Sequence, residues 1–343
     1  MKKRNILITG GAGFIGSHVV EHFAKKYPNY QIIVIDALTY AANSDLFDKW
    51  SKGKYKNVKT WKGDIVNWND CNNVINVNSI DSIIHLAAES HVDNSIKNPM
   101  AFVETNVIGT VNLLNAAKNF WDKSNNDNLF YHISTDEVFG TLESVFDEPF
   151  NEGTPYDPRS PYSASKASSD HFVRAYGNTY NFPFVKSNCS NNYGPHQHEE
   201  KLLPKAIKNL LTEKKIPIYG KGDNIRDWLY VGDHVDAIDL IFHEGDKGET
   251  YCIGGDCEMQ NIDLIKILID IHVQKTVNNI NDNVTYLPRL YSDYIEFVED
   301  RKGHDYRYSI DHSELTGMLD WKSKTDIRDG LELTYNYYKN KIK

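Results

Sequence analysis

The chain has 343 residues, enough for two ordinary domains or for one large α/β domain with an appendage. Hydrophobic residues make up 40% and charged residues 25%, a globular balance that excludes disorder as the dominant state. A net charge of −9 excludes a generic nucleic-acid or anionic-membrane binder, because both need a broad basic face.

The amino terminus starts basic, Met1-Lys-Lys-Arg-Asn-Ile-Leu-Ile-Thr-Gly10, as a secretory signal does, but its apolar run stops after three residues. The segment therefore reads as a first buried strand, Asn5–Thr9, and the protein is expected to be soluble and cytoplasmic. No stretch approaches the ~18 consecutive apolar residues of a membrane span. Cys71, Cys189, Cys252 and Cys257 have no CxxC spacing and read as reduced thiols. Directly after the first strand comes Thr9-Gly-Gly-Ala-Gly-Phe-Ile-Gly16, followed by a helical pattern over Ile15–Lys26. Gly10 and Gly13 allow a tight turn and close approach of backbone to a pyrophosphate, and Gly16 lets the helix pack on the strand. A second strand over Gln31–Ile35 ends at Asp36, twenty residues after Gly16, where a carboxylate accepts from ribose hydroxyls. The same carboxylate repels a 2′-phosphate, so NAD is expected rather than NADP.

Further strands are expected over Val58–Trp61, Ser82–Leu86, Leu129–Ile133 and Phe184–Ser187. Helices are expected over Trp68–Ile75, Met100–Trp121 and Tyr162–Tyr180. This alternation predicts a Rossmann-type, doubly wound parallel sheet with right-handed crossovers. Beyond residue 189 the pattern loosens, with Pro195, Pro204 and Pro217 punctuating short elements. Helices are expected at Pro204–Thr212, His234–His243, Asn261–Ile271 and Ile327–Tyr338, and an irregular connection at Asn278–Asn283. The expected division is a cofactor domain with the catalytic residues over 1–188 and a smaller mixed α/β substrate domain over 189–343. It leaves room for later segments to cross back to the sheet.

Two strings carry chemistry. Thr135-Asp136-Glu137 closes the fifth strand and places two carboxyls and a hydroxyl at its end. Tyr162-Ser-Ala-Ser-Lys166 places a phenol and an ammonium one helical turn apart. Free tyrosine titrates near ~10, and a cation on the same helix face favours its phenolate, which can take a proton from a sugar hydroxyl. Oxidation at one carbon makes the neighbouring proton acidic. A base and an acid side by side can then eliminate water, provided their environments give them different protonation states.

With the glycine loop and Tyr162-x-x-x-Lys166 on one chain, the sequence resembles the extended short-chain dehydrogenase/reductase superfamily. Further strings narrow the resemblance to the dTDP-glucose 4,6-dehydratase family over residues 4 to 340. They are Asp36-Ala-Leu-Thr-Tyr40, His85-Leu-Ala-Ala-Glu-Ser-His-Val-Asp93, Glu104-Thr-Asn-Val-Ile-Gly-Thr110, Asn188-Cys-Ser-Asn-Asn-Tyr-Gly-Pro195, Tyr219-Gly-Lys-Gly-Asp-Asn-Ile-Arg-Asp-Trp228 and Asp300-Arg-Lys-Gly-His-Asp305. The resemblance implies oxidation at C4 of dTDP-glucose, loss of water across C5 and C6, and return of hydride to C6, with no net use of NAD. It makes Tyr162 with Lys166 the oxidation pair, Glu137 the base at C5, Asp136 the acid at C6, and Thr135 a donor to the C4 oxygen. Asp136 is the discriminating residue. Related 4-epimerases carry small or apolar residues in the Asp136-Glu137 slots, and related decarboxylases and GDP-mannose dehydratases resemble Thr-Ser-Glu there.

Carried over position by position, the cofactor contacts are Gly10, Gly13, Phe14, Ile15, Gly16, Asp36, Leu38, Thr39, Asp64, Ile65, Leu86, Ala87, Ala88, Thr105, Tyr162, Lys166 and Asn192. The substrate contacts are Ser90, Thr135, Asn191, Lys201, Leu202, Pro217, Tyr219, Arg226, Asn261, Arg301 and His304, with Arg226 and Arg301 suited to a diphosphate. The chain departs from the family pattern at Phe139, at Lys302 and over His196-Gln-His-Glu-Glu200. The paired histidines lack a third spaced ligand, so no metal is expected. The same dehydration of UDP- or CDP-glucose stays open, as does a catalytically silent dinucleotide-binding regulatory protein. Apolar residues Phe102, Val103, Val107, Val111, Leu114 and Phe120, with Phe172, Val173 and Tyr176, exceed one sheet-facing stripe. They predict a homodimer through a four-helix interface.

Overall fold

The computed structural model describes residues 3–123, 127–277, 290–300 and 303–342. Alternate side chains of the first strand, β1 (Asn5–Thr9), bury on opposite faces. Ile6 and Ile8 pack with Val19, Val20 and Phe23 of the helix Phe14–Lys26, while Leu7 packs with Leu113 and Leu114 on the other side. The same two-faced burial recurs in β2 (Gln31–Asp36), β4 (Ser82–His85), β5 (Leu129–Thr135) and β6 (Phe184–Cys189), while β3 (Val58–Lys62), at the sheet edge, buries only Val58 fully. Later come β7 (Asn191–Tyr193), β8 (Ile216–Tyr219), β9 (Ile225–Tyr230), β10 (Thr250–Ile253), β11 (Glu258–Gln260) and β12 (Ile295–Val298).

Seven strands form one parallel sheet in the order β10-β6-β5-β4-β1-β2-β3, with helices on both faces. The order reverses direction at β1, which opens a crevice at the carboxyl ends of β1 and β4. β10 crosses back from the later chain to pair with β6. The helices Val231–Glu244 and Ser313–Leu319 also pack on the core of this large sheet, through residues such as Val235, Ile238 and Leu315. Other later segments build a smaller unit from a β11-β9-β7 sheet, a β12-β8 pair, and a separate core that includes Leu203, Ile207, Leu264, Leu268, Leu331 and Tyr335.

Strands five and six run longer than their apolar runs, because the polar ends pair in register, Ser134 with Asn188 and Thr135 with Cys189. The helix expected over Met100–Trp121 is three pieces: Pro99–Phe102, a π turn Val103–Gly109, and Thr110–Trp121. The wide turn buries Asn106, whose amide accepts from Glu89 N at 2.8 Å and donates to Ser165 Oγ at 2.8 Å. Of the apolar residues read as an interface, Phe102, Leu114, Val173 and Tyr176 are buried within their own subunit. The exposed large apolar side chains on these helices are Met100, Val103, Ile108, Phe172 and Tyr180, of which only Val103 and Phe172 belong to that set. Helices Ser44–Ser51, Val92–Lys97 and Ser313–Leu319 were not expected from the pattern. Asn278–Asn283 lies outside the described residues. Among the described residues no helix is long and apolar enough to cross a membrane, and all four cysteines are free thiols.

Candidate active site

The turn after β1 is shaped by glycine. Gly10 has φ +65°, and a Cβ there would lie 2.7 Å from the Ala87 backbone beyond β4. At Gly16 a Cβ would sit 2.2 Å from the Gly10 carbonyl oxygen. Both close approaches need a bare backbone. Gly13 caps the helix Phe14–Lys26 without any side-chain hydrogen bond, so the amides of its first turn face the cleft uncapped. At the end of β2 the Asp36 carboxylate accepts from Ala12 N at 2.9 Å and from Leu38 N at 2.8 Å. Burial raises its pKa, and these two amides pull against that. Leu38 itself, at φ +57°, packs on the core beneath.

Thr9 organises the neighbouring strand end. Its Oγ1 accepts from Leu86 N at 3.2 Å and Ala87 N at 3.1 Å, and it pairs with His85 Nδ1 at 2.7 Å. The other His85 nitrogen pairs with Thr110 Oγ1 at 2.9 Å. Leu86, Ala87 and Ala88 therefore run in a fixed path along the cleft.

One cleft holds Gly10, Gly13–Gly16, Asp36, Thr39, Asp64, Ile65, Leu86–Ala88, Ser90, Thr105, Thr135–Glu137, Tyr162, Lys166, Asn191, Asn192 and Lys201. The set fits NAD on the structure's own terms: a bare backbone cradle, an uncapped helix end and a carboxylate beyond β2. Leu202, Pro217, Tyr219, Arg226, Asn261 and His304 do not line it. Leu202 packs on the later core, and Pro217 pairs with Glu296 between β8 and β12. Tyr219 and His304 meet ring to ring at 6.3 Å, and Asn261 N donates to Asn224 O at 3.0 Å. The Arg226 guanidinium lies over the Tyr308 ring at 4.3 Å and donates to the Ile225, Tyr306 and Asp305 carbonyls. Arg301 lies outside the described residues.

The reacting end is built by β5 and the helix Pro161–Tyr180. Thr135 ends the strand and caps a short 3-10 turn, Asp136–Phe139. The helix starts on a Ser160–Ser163 capping box with Pro161 at its first position, which fixes where Tyr162 and Lys166 fall. Lys166 Nζ donates to the Ile133 carbonyl at 2.8 Å. Burial lowers the Lys166 pKa. Burial also pushes the Tyr162 phenol well above its ordinary range, with the nearby Glu137 and Asp136 carboxyls adding to the push and the Thr135 hydroxyl opposing it. Asp136 is driven well above the carboxylate range, first by burial and then by the Glu137 charge. It accepts from Thr135 Oγ1 at 3.1 Å, and its buried Oδ2 has no protein partner among the described residues. A protonated Asp136 also takes one negative charge away from the phenol. Among the described residues no group of three His, Cys, Asp or Glu side chains could hold a metal ion.

A family model described as GDP-mannose 4,6 dehydratase matches residues 7–334. The dTDP-glucose 4,6-dehydratase of Salmonella typhimurium is 45% identical, over 97% of this chain and 92% of that one. That of Haemophilus influenzae is 43% identical over 97% of each chain. The chain belongs to the dTDP-glucose 4,6-dehydratase family. Among solved structures, the family's Bacillus anthracis enzyme in complex with NAD has a TM-score of 0.84 at 39% identity, covering 98% of this chain and 97% of that one. The Streptomyces venezuelae enzyme, also solved with NAD, has a TM-score of 0.86 at 38% identity with the same coverage. A Thermotoga maritima UDP-glucose 4-epimerase shares the fold at a TM-score of 0.83 and 26% identity, covering 99% of this chain and 100% of that one.

Several residues of this dehydratase site escape a motif reading. Asn106 and Thr9 hold the strand ends, and Cys189, Gln197, His198 and Glu200 line the cleft. For Asn106 the signal was the buried amide inside an apolar helix pattern. For Cys189 and Gln197 the sequence carries none.

Proposed function

We propose that this chain converts dTDP-glucose to dTDP-4-keto-6-deoxyglucose, with each step assigned to a residue of the cleft. The observation that carries the assignment is the Asp136–Glu137 pair beside Tyr162, with Asp136 buried and pushed towards its protonated form. NAD, when bound, supplies the two-electron acceptor and donor of the cycle. Gly10, Gly13 and Gly16 would hold its pyrophosphate, and Asp36 its adenosine ribose.

Tyr162 takes the proton from the C4 hydroxyl. Burial sets the phenol against ionisation, and the charge of Lys166, one turn along the same helix, would work the other way. Thr135 would donate to the C4 oxygen once its single hydroxyl proton turns there from Asp136 Oδ1. With a ketone at C4 the C5 proton becomes acidic, and Glu137 removes it. Asp136 then gives its proton to the C6 oxygen, which leaves as water. The Oδ2 of Asp136 suits that donation, since no protein group among the described residues competes for it. The side of the cleft that holds Ser90, Asn191 and Lys201 would face the sugar diphosphate.

We also infer a homodimer and a cytoplasmic setting. The exposed apolar side chains Met100, Val103, Ile108 and Phe172 support the first, and the four free thiols suit a reducing compartment. The experiment is direct. Purified protein with NAD is given dTDP-, UDP-, CDP- and GDP-glucose in parallel, and the alkali-developed absorbance of a 4-keto sugar is read. Product from the dTDP sugar ahead of the others is expected. No keto sugar from any of the four would reject the dehydratase reading.

A further inference from the structure

Residues 195–201 leave β7 and run across the cofactor half of the molecule. Their start is tied to the helix Phe14–Lys26. His18 Nε2 lies 2.9 Å from the Pro195 carbonyl oxygen, and Ser17 Oγ lies 2.9 Å from His196 Nδ1. The His18 and His196 rings stack at 4.7 Å. Further along, the His198 ring meets Tyr40 edge-on, with centroids 5.5 Å apart and planes at 88°. Tyr40 belongs to the chain beyond β2, and its hydroxyl is held by Glu89 Oε2 at 3.3 Å and Asn94 Nδ2 at 3.4 Å. At the far end Glu200 Oε2 lies 3.8 Å from His91 Nε2, and Lys201 Nζ donates to the Ser90 carbonyl at 2.8 Å, both beyond β4.

One short segment thus touches the chain that follows β1, β2 and β4. Those are the three places where a dinucleotide would lie, and Gln197, His198, Glu200 and Lys201 line the same cleft as Gly13 and Asp36. Glu199 alone of these residues points to solvent. A molecule seated along Gly10–Gly16 and Asp36 would share its cleft with this segment. We propose that residues 196–201 are a strap that retains bound NAD, with the His198–Tyr40 ring contact as its clasp. Retention suits a cofactor that ends each turnover in the form in which it began. The inference rests on the NAD reading above.

The test follows release of bound NAD from the full-length protein. NAD-loaded protein is freed of excess nucleotide by gel filtration and dialysed, and the retained NAD is measured by chromatography over time. His198→Ala and Tyr40→Ala are each expected to release NAD about fivefold faster, the size of one edge-to-face ring contact. The double variant should be no faster than the faster single one, because both break the same clasp. Tyr40→Phe and His198→Phe keep a ring in place and should hold NAD as the parent does, which separates the clasp from a general loss of folding. Release at the parent's rate from both alanine variants would overturn the strap while leaving the NAD site standing. So would fast release from the phenylalanine variants, or a double variant faster than either single one. A parent protein that takes up no NAD at all would remove the cofactor reading and the strap together.

Discussion

Asp136 and Glu137 are adjacent in sequence yet sit in different surroundings, because the 3-10 turn that begins at Asp136 buries the first carboxyl and leaves the second half-buried. Burial drives Asp136 towards its acid form, and the Glu137 charge beside it drives it further. One strand end therefore supplies an acid and a base. Asp136→Asn keeps the shape but has no proton to give. Loss of water from C6 should fall by ~10²–10⁴-fold, while exchange of the C5 proton with deuterated solvent, read by NMR, continues. Glu137→Gln should suppress that exchange by a similar factor. Because the acid form of Asp136 is the working one, dehydration should decline as pH rises through its raised pKa. Undiminished exchange in Glu137→Gln would reject the assignment of the base.

Tyr162→Phe removes only the phenolic oxygen from a residue already buried against Phe102, with ring centroids 6.2 Å apart. The fold should be unaffected, and melting should stay near that of the parent. Oxidation at C4 should drop by ~10²–10⁴-fold, so neither C5 exchange nor keto sugar appears. This separates Tyr162 from Glu137, whose replacement blocks a later step and should leave C4 oxidation detectable. Normal C5 exchange in Tyr162→Phe would show that another group takes the first proton.

The parallel sheet was legible because its strands are buried on both faces and read as apolar runs set between helices. β5 and β6 overran those runs, since hydrogen-bonded Ser134, Thr135 and Asn188 look like loop residues in a one-dimensional pattern. The cofactor cradle was legible for the opposite reason: Gly10 and Gly16 are required by local backbone geometry and leave a local signature. The π turn at Val103–Gly109 was not, because its cause is the long-range seat of Asn106 between Glu89 and Ser165. Arg226 illustrates the same limit. Its residue type suits a diphosphate, but its guanidinium is engaged by three backbone carbonyls that no spacing rule reveals.

Buried histidines give the protein an acid-side weakness. Burial holds His132 and His196 at about 4 and His234 at about 3, against an ordinary value near ~6.5. A group whose folded pKa is depressed binds its proton more readily when unfolded. Stability should therefore be complete above pH ~6.5 and fall as pH drops towards ~4. Asp136 has the opposite sign: its raised pKa works against folding above pH ~4, where the unfolded chain ionises it freely. Asp36, Glu89, Glu152 and Asp227 are raised in the same sense. Melting temperatures measured between these limits should climb more steeply with pH in Asp136→Asn than in the parent, since the variant lacks one of these opposing groups. Equal slopes in the two proteins would show that Asp136 is not held in its acid form.

The proposed dimer is the last point open to a simple measurement. Met100 is 58% exposed, Val103 39%, Ile108 46% and Phe172 41%, on helical segments that pack against each other. Exposed apolar side chains gathered this closely are costly in water and are covered when two copies meet about a two-fold axis. Phe102, Leu114, Val173 and Tyr176 cannot take part, being buried beneath the same surface. The interface would then be formed by the outward residues, with the half-buried Val107, Val111 and Phe120 beside them, and Ile108→Glu with Phe172→Glu should break it by placing like charges across the axis. Light scattering of the parent at micromolar concentration should give twice the chain mass, and the double variant one chain mass. Tyr162 and Lys166 lie on the helix that carries Phe172, so freeing its outer face should also lower turnover. A parent that is monomeric at that concentration, or a monomeric variant with full turnover, would remove the link between assembly and the site.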